Sequence, residues 1–521
     1  MDAERVRRAF GRADAQLASQ EAGQEAAPGG GEGPRAEARR LLREIAERFD
    51  ARLRLALVGR VSSGKSTLAN ALLGAGRAPT GALELTFNVT WFRHAETPSL
   101  TLHLTDGSPP QRHDPAALER FAVRAREQDP ALRELLRRVD HLEIGEPSPA
   151  LRDYDLADTP GLDSVHGEDS ANALRWLGRP PEHVREGTVA HAGRADALIA
   201  VFDRGLSHGF AELLRDFAGA GLGAAGPVTT VGALTKVEQY WHATGADPLA
   251  EGRRVAESLM EAADARRLLY DIRPVVGLLG AAAATFTEEE HADLTELTKL
   301  DSEELRAHVR RVPFFAHREL PGVPLPPARR AALLERFGAY GVWLACELIR
   351  QDLTDTAGLR AELLRRSGVE DLRRLLLDHF GNRASLIKLD RAIRETRVLA
   401  DRLGDAVAPA AAGILRLEFS EHAFRELAVL RDHYAGRLAL TPPEVRELLR
   451  VTGESGATPA ARLGLPEDAP PEALAGRARE GLERWALAAA LGEHSGPTRT
   501  AAGVIRRSYE LLLHELRRGA A

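Results

Sequence analysis

Arg52-Leu53-Arg54-Leu55-Ala56-Leu57-Val58-Gly59-Arg60-Val61-Ser62-Ser63-Gly64-Lys65-Ser66-Thr67-Leu68-Ala69-Asn70-Ala71-Leu72-Leu73-Gly74 is the stretch that decides the fold. It opens as an apolar run of strand length, Arg52–Val58, and closes as a helix, Ser66–Leu73. The turn between them fits G-x-x-x-x-G-K-[ST]. Glycines in such a turn let backbone N–H groups face inward around phosphate oxygens, and the helix start adds positive potential. Lys65 neutralises the outer phosphates and Ser66 offers its hydroxyl to Mg2+.

Moving outward, short β-rich runs alternate with helix-length segments: Asn88–His94, Leu100–Leu104, Tyr154–Ala157, Ala197–Phe202, Val228–Leu234 and Arg273–Leu278. Strands spaced this way imply βαβ crossovers, hence a doubly wound, largely parallel α/β sheet covered on both faces. Beyond about residue 300 the strand signal stops. Amphipathic helical periods continue at Arg329–Gln351, Val369–Phe380, Leu386–Leu403 and Phe424–Leu438, with two last helices near Glu472–Leu491 and Thr498–Arg518. Thr441-Pro442-Pro443-Glu444 reads as an N-cap with proline in the first turn, so a helix should start there. Residues 1 to 20 and 35 to 51 look helical, joined by a flexible Gly/Pro/Glu linker. The expected layout is N-terminal helices over 1–50 that join the bundle, an α/β domain over 51–300, and an all-α bundle over 301–521.

Composition narrows the function classes. With 521 residues, 44% hydrophobic and 28% charged, the chain is long enough for two to four folded domains. Aromatics at 5% and a net charge of −6 argue against a nucleic-acid surface, so no nucleic acid is expected as a partner. The charge is uneven, −9 over residues 1–300 and +3 over 301–521. A single cysteine, Cys346, excludes a disulfide framework and reads as a small core residue in a reducing, cytoplasmic setting. The first twenty residues carry charges throughout with no apolar core of a leader, and the best apolar segment, Val275–Phe286, is too short for a membrane span. The 17 histidines show no tight ligand spacing and point to no structural metal site. Of 70 basic residues only four are lysine, Lys65, Lys236, Lys299 and Lys388, so this chain writes Arg wherever a generic positive charge serves.

Two of those lysines fall in nucleotide motifs. Asp158-Thr159-Pro160-Gly161 ends the Tyr154–Ala157 strand and fits the D-x-x-G turn of GTPases, in which the carboxylate reaches Mg2+ through water and the glycine N–H senses the γ-phosphate. Thr86 lies between the first helix and the second strand, where a mobile switch threonine belongs. Thr235-Lys236-Val237-Glu238 closes another apolar strand and is similar to T/N-K-x-D, the guanine motif. Here Glu stands where Asp is expected, one methylene further out, so guanine selection is less firmly indicated than phosphate binding.

Taken together, Gly59-x-x-Ser62-Ser63-Gly64-Lys65-Ser66-Thr67-Leu68-x-Asn70-Ala71-Leu72-Leu73-Gly74, Thr86, Asp158-Thr159-Pro160-Gly161-Leu162 and Thr235-Lys236-x-Glu238 resemble the dynamin superfamily, specifically small bacterial dynamin-like proteins. Leu334-Glu335-Arg336-Phe337-Gly338-Ala339-Tyr340-Gly341 and the all-helical remainder agree with that family's layout. The resemblance implies that Gly59, Ser62, Ser63, Gly64, Lys65, Ser66, Thr67, Asp158, Gly161, Thr235, Lys236 and Glu238 bind nucleotide. It implies that Ser66 and Thr86 ligate Mg2+ with Asp158 acting through water, and that Ser62, Lys65 and Thr86 carry catalysis, Ser62 stabilising charge between the β and γ phosphates. Leu162 stands where Ras-like enzymes place a water-orienting Gln, and Val61 where animal dynamins often carry a polar residue.

The expected activity is therefore GTP hydrolysis to GDP and phosphate, coupled to self-association through the GTPase domain. Peripheral binding to membrane lipid would follow, at the inner face of the cell membrane and through a bundle tip near Ala406–Leu417. Two alternatives stay open. One is a regulatory GTPase acting on a protein partner without lipid; the other is a nucleotide-binding scaffold with negligible turnover.

Overall fold

The computed structural model describes residues 3–21, 33–76, 89–106, 108–121, 134–135, 138–160, 193–205, 211–212, 214, 226–244, 246–490 and 496–519. Two helices, α1 (Ala3–Glu21) and α2 (Pro34–Asp50), precede β1 (Leu53–Gly59) and α3 (Lys65–Leu73). The remaining strands are β2 (Val89–His94), β3 (Ser99–Leu104), β4 (Gln111–His113), β5 (Val139–Glu146), β6 (Tyr154–Asp158), β7 (Ala197–Phe202), β8 (Thr230–Leu234) and β9 (Ile272–Pro274).

They form one nine-stranded sheet in the order β4-β3-β5-β2-β6-β1-β7-β8-β9. Around β1 the pairing is parallel, with β6 on one side and β7, β8 and β9 in succession on the other. The outer part is mixed: β2 runs parallel to β5 but antiparallel to β6, and β3 is antiparallel to β4 and β5. The expected largely parallel α/β sheet is present, with an antiparallel extension on one edge.

Both faces of the sheet are covered, which is why β1 is a near-continuous apolar run. The pleat sends Leu55 and Leu57 to a core shared with α3, α1, α2 and the helices from Val369 onward. It sends Ala56 and Val58 to a second core, shared with Trp241, Leu279, Leu294, Phe337 and Leu363 of the helices between residues 238 and 366. Trp241 is buried against Tyr340 and Trp343, and Cys346 is fully buried. Past residue 300 the described chain is helical. Its segments include Pro327–Arg350, broken at Gly338 by a positive φ of 66°, and Val369–Leu376, Ala384–Leu403, Pro471–Ala490 and Gly496–Gly519. Thr441 and Glu444 close a capping box at the start of Pro442–Val451.

Three expectations need correction. Strand β5 was not anticipated, because Val139-Asp140-His141-Leu142-Glu143 mixes charge into the run; its polar side chains are met by ion pairs such as Arg93–Glu143 at 2.8 Å. Arg273–Leu278 is only partly strand: pairing ends at Pro274, and a helix starts at Gly277 after the Val276 N–H donates to Ser367 O at 2.8 Å. The Ala406–Leu417 stretch is no exposed tip. Pro409 sits in the first turn of the helix Ala408–Leu415, where proline is tolerated, and Val407, Ala411 and Ile414 are fully buried, with Ala410 packed beside them in the same core as α1. No helix among the described residues is long and apolar enough to cross a membrane.

Candidate functional site

The first candidate loop is built by backbone. Gly59 lies opposite Val201 in the parallel pairing of β1 with β7, and a Cβ there would sit 2.3 Å from Val201 O. The position therefore admits only glycine without moving a strand. Gly64, at φ 90°, is the N-cap of α3 and turns the chain from loop to helix. Ser62 between them is held at φ 58°, a strained conformation for a non-glycine residue. Lys65 is buried, with its ammonium 2.7 Å from Arg60 O and 3.2 Å from Gly59 O, so it lies over the loop it must neutralise. The buried Ser63 hydroxyl has no hydrogen-bond partner, leaving a polar atom in the cradle that a phosphate oxygen would satisfy.

Ninety-odd residues later in sequence, β6 delivers the second motif to the same place. Because β6 pairs with β1 in register Leu57↔Asp158, the Asp158 carboxylate reaches the start of α3 and accepts a 2.7 Å hydrogen bond from the Ser66 hydroxyl. The neighbouring Thr159 hydroxyl donates to Leu57 O at 2.6 Å and locks the two strand ends together. A hydroxyl beside a carboxylate is a hard-oxygen pair that suits Mg2+. Thr86, Gly161 and Leu162 lie outside the described residues.

The base-side candidates follow β8. Thr235 opens the candidate base motif, and its hydroxyl donates to Ser63 O at 2.6 Å, bracing one loop against the other. Lys236 adopts φ 56°, so two of the three non-glycine residues with positive φ among the described residues belong to this site. Sequence reasoning missed Asp203. It follows the last residue of β7, its carboxylate is 3.7 Å from the Lys236 ammonium, and its carbonyl accepts from the Gln239 side chain at 3.2 Å. The available signal was its place at the carboxyl end of a buried parallel strand, where α/β sheets bind ligands. Glu238 opens the helix Glu238–Thr244, and one of its carboxylate oxygens, Oε2, is buried with no hydrogen-bond partner. Burial pushes its carboxyl above the usual carboxylate range; its own backbone N–H and Lys236 oppose that shift.

The site is tied to the helical half at its back. At the end of α3 the Arg373 guanidinium donates to Ala71 O and Leu72 O, both at 2.7 Å. Arg391 reaches Gly193 O at 2.6 Å, just ahead of β7, and the Lys388 ammonium holds Ala51 O at 2.7 Å, just ahead of β1.

Residues 55–212 match the family model described as Dynamin family. The isoniazid-induced protein IniC of Mycobacterium tuberculosis is 32% identical over 481 residues, covering 91% of this chain and 92% of that protein. Dynamin-like protein 2 of Campylobacter jejuni is 32% identical over 123 residues, 24% of this chain and 19% of that one. A solved structure from an oligomerised bacterial dynamin pair covers 92% of this chain and 87% of its own at 14% identity, with a TM-score of 0.30, too low for the likeness to carry weight.

Proposed function

This chain belongs to the dynamin superfamily, among its bacterial dynamin-like GTPases, and from that premise we propose that it binds GTP with Mg2+ and hydrolyses it to GDP and phosphate. The observation that carries the proposal is the convergence of Lys65, the orphan Ser63 hydroxyl and the Ser66–Asp158 pair on one loop mouth. In this reading Lys65 moves from the Gly59 and Arg60 carbonyls onto the phosphates, and the loop N–H groups and the Ser63 hydroxyl bind phosphate oxygens. Ser66 and Thr86 would hold Mg2+, with Asp158 acting through water, and the ion when bound would supply positive charge against the β and γ phosphates. Ser62, held at φ 58° in the loop, would stabilise charge that grows between those phosphates in the transition state. Lys236 lies along the base, and Glu238 accepts its N–H groups, using the oxygen that otherwise has no partner.

The same proposal includes self-association through the GTPase domain and nucleotide-dependent binding or remodelling of membrane lipid, with the protein peripheral at the inner face of the cell membrane. The domain division is part of it: residues 51–300 would form the GTPase unit, with 1–50 and 301–521 acting together as the helical unit that nucleotide state drives. Turnover of GTP against ATP, measured with and without liposomes, tests it. GTP-selective turnover that rises with lipid supports the full reading. Turnover indifferent to lipid favours a regulatory GTPase, and binding without turnover favours a scaffold, the reading that Glu238, Val61 and Leu162 together leave open.

A further inference from the structure

The outer edge of the sheet holds a cluster that no linear spacing in the sequence exposes. His103 on β3 and His141 on β5 are direct cross-strand partners, with rings stacked 8° from parallel and centroids 4.2 Å apart. Glu143, two residues beyond His141, projects from the same face of β5. One donor atom from each of the three lies within 4.8 Å of the others. The His103 Nε2 is buried with no hydrogen-bond partner and sits 3.6 Å from a Glu143 carboxylate oxygen. His141 Nδ1 lies 2.9 Å from an Asp140 carboxylate oxygen, which can only accept, so that nitrogen carries the proton and the ring lone pair is on Nε2. A carboxylate behind a histidine in this way is the support that metal-binding imidazoles ordinarily have.

We propose that His103, His141 and Glu143 bind one divalent ion of the zinc class, an N2O donor set with a position left for water and Asp140 as the support of His141. The His103 and Glu143 side chains are 30% and 26% exposed, so an ion can enter from solvent. The site is formed by β3 and β5, whereas the nucleotide loops follow β1, β6 and β8, so it is separate from any Mg2+ bound with GTP. Arg93 opposes binding: its guanidinium lies 2.8 Å from Glu143. A second carboxylate, Asp155, is 3.5 Å from Arg93 and can keep it when Glu143 turns to the ion. Bound there, the ion would pin β3 to β5 through their side chains. The histidine spacing looked uninformative in the sequence because the ligands come from positions 103, 141 and 143 of two separate strands.

The probe is Zn2+ added to the full-length protein saturated with Mg2+ and GDP, followed by calorimetry. One Zn2+ per chain is expected, weakened at least about tenfold in His103→Asn and in His141→Asn and about tenfold in Asp140→Ala. Arg93→Gln should bind more tightly, because it releases Glu143. Retained GDP binding shows that a variant is folded. Should an Asn variant lose GDP binding, the wild-type Co2+ complex decides: visible d–d bands of low-coordinate, nitrogen-ligated cobalt support the site. Their absence, Zn2+ binding weaker than about 100 μM, or unchanged binding in a folded double Asn variant overturns it.

Discussion

The phosphate end and the base end of the candidate site are built from different materials. At the phosphate end the frame is backbone: Gly59 is packed against Val201 O, Gly64 caps α3, and the Lys65 ammonium is buried against the loop carbonyls. At the base end they are side chains on a half-exposed turn, Lys236 paired with Asp203 at 3.7 Å and Glu238 with an unpartnered oxygen. A backbone cradle tolerates almost no substitution and gives a fixed sequence pattern. A side-chain clamp can be lengthened by a methylene and still close, so its pattern drifts. Recognition of phosphate should therefore be all-or-none in this protein, and recognition of the base graded.

The sharpest way to break that contrast is Lys65→Ala. It should weaken GTP binding by about 100-fold or more in a fluorescent-nucleotide titration, with far-ultraviolet dichroism unchanged. A loss as small as that seen on altering the base end would remove the distinction. Ser62→Ala should lower turnover by about 100-fold while GTP affinity stays near wild type, since the hydroxyl is assigned to the transition state. Equal loss of affinity would return Ser62 to simple binding. Gly59→Ala tests the cradle as structure: a Cβ 2.3 Å from Val201 O must push β1 from β7. Urea unfolding of the nucleotide-free protein should report about 2 kcal/mol of lost stability, and an unchanged midpoint would show that the strands give way easily.

At the base end the effects should be smaller. Glu238→Asp should raise the preference for GTP over ATP by less than about tenfold, as the carboxylate returns to the usual reach. Because burial raises the Glu238 carboxyl in the folded chain, acidification should protonate it before ordinary carboxylates. The two consequences have opposite signs. A raised folded-state pKa means that this group's contribution favours the nucleotide-free fold at low pH and is lost as pH rises through that pKa. GTP affinity runs the other way, falling as pH drops through the same window. Glu238→Gln should flatten the acid limb of an affinity–pH profile, and a profile as steep as wild type would take Glu238 out of base recognition.

How much of this could be read from sequence follows the same division. The P-loop, the D-x-x-G aspartate and the parallel strands around β1 were legible because each depends on local pattern: a buried parallel strand is apolar throughout, and a phosphate turn needs its glycines. Strand β5 was not, since Asp140, His141 and Glu143 interrupt the apolar run; His141 stacks on His103 of β3 and Glu143 pairs with Arg93 of β2, partners that local sequence does not show. Asp203 was missed for a related reason; its importance lies in its distance to Lys236, which the sequence places 33 positions away. The Ala406–Leu417 stretch misled in the other direction. A proline and small apolar residues look like an exposed turn, yet α1, some 400 residues earlier in the chain, shares the core that buries Ile414 and Ala411.

Helix α3 begins on the phosphate loop and ends on Arg373, and its nine residues span about 13 Å without a break. The carbonyls that Arg373 holds point along the helix axis, so an axial slip of about one ångström at Gly64 would carry both 2.7 Å bonds out of hydrogen-bonding range. Thermodynamic linkage makes such a tie two-way. If nucleotide loosens or tightens the grip of Arg373, then anything that pulls on the helix Val369–Leu376 alters nucleotide affinity by the same factor. A load on that helix would then be read out as nucleotide occupancy through one arginine.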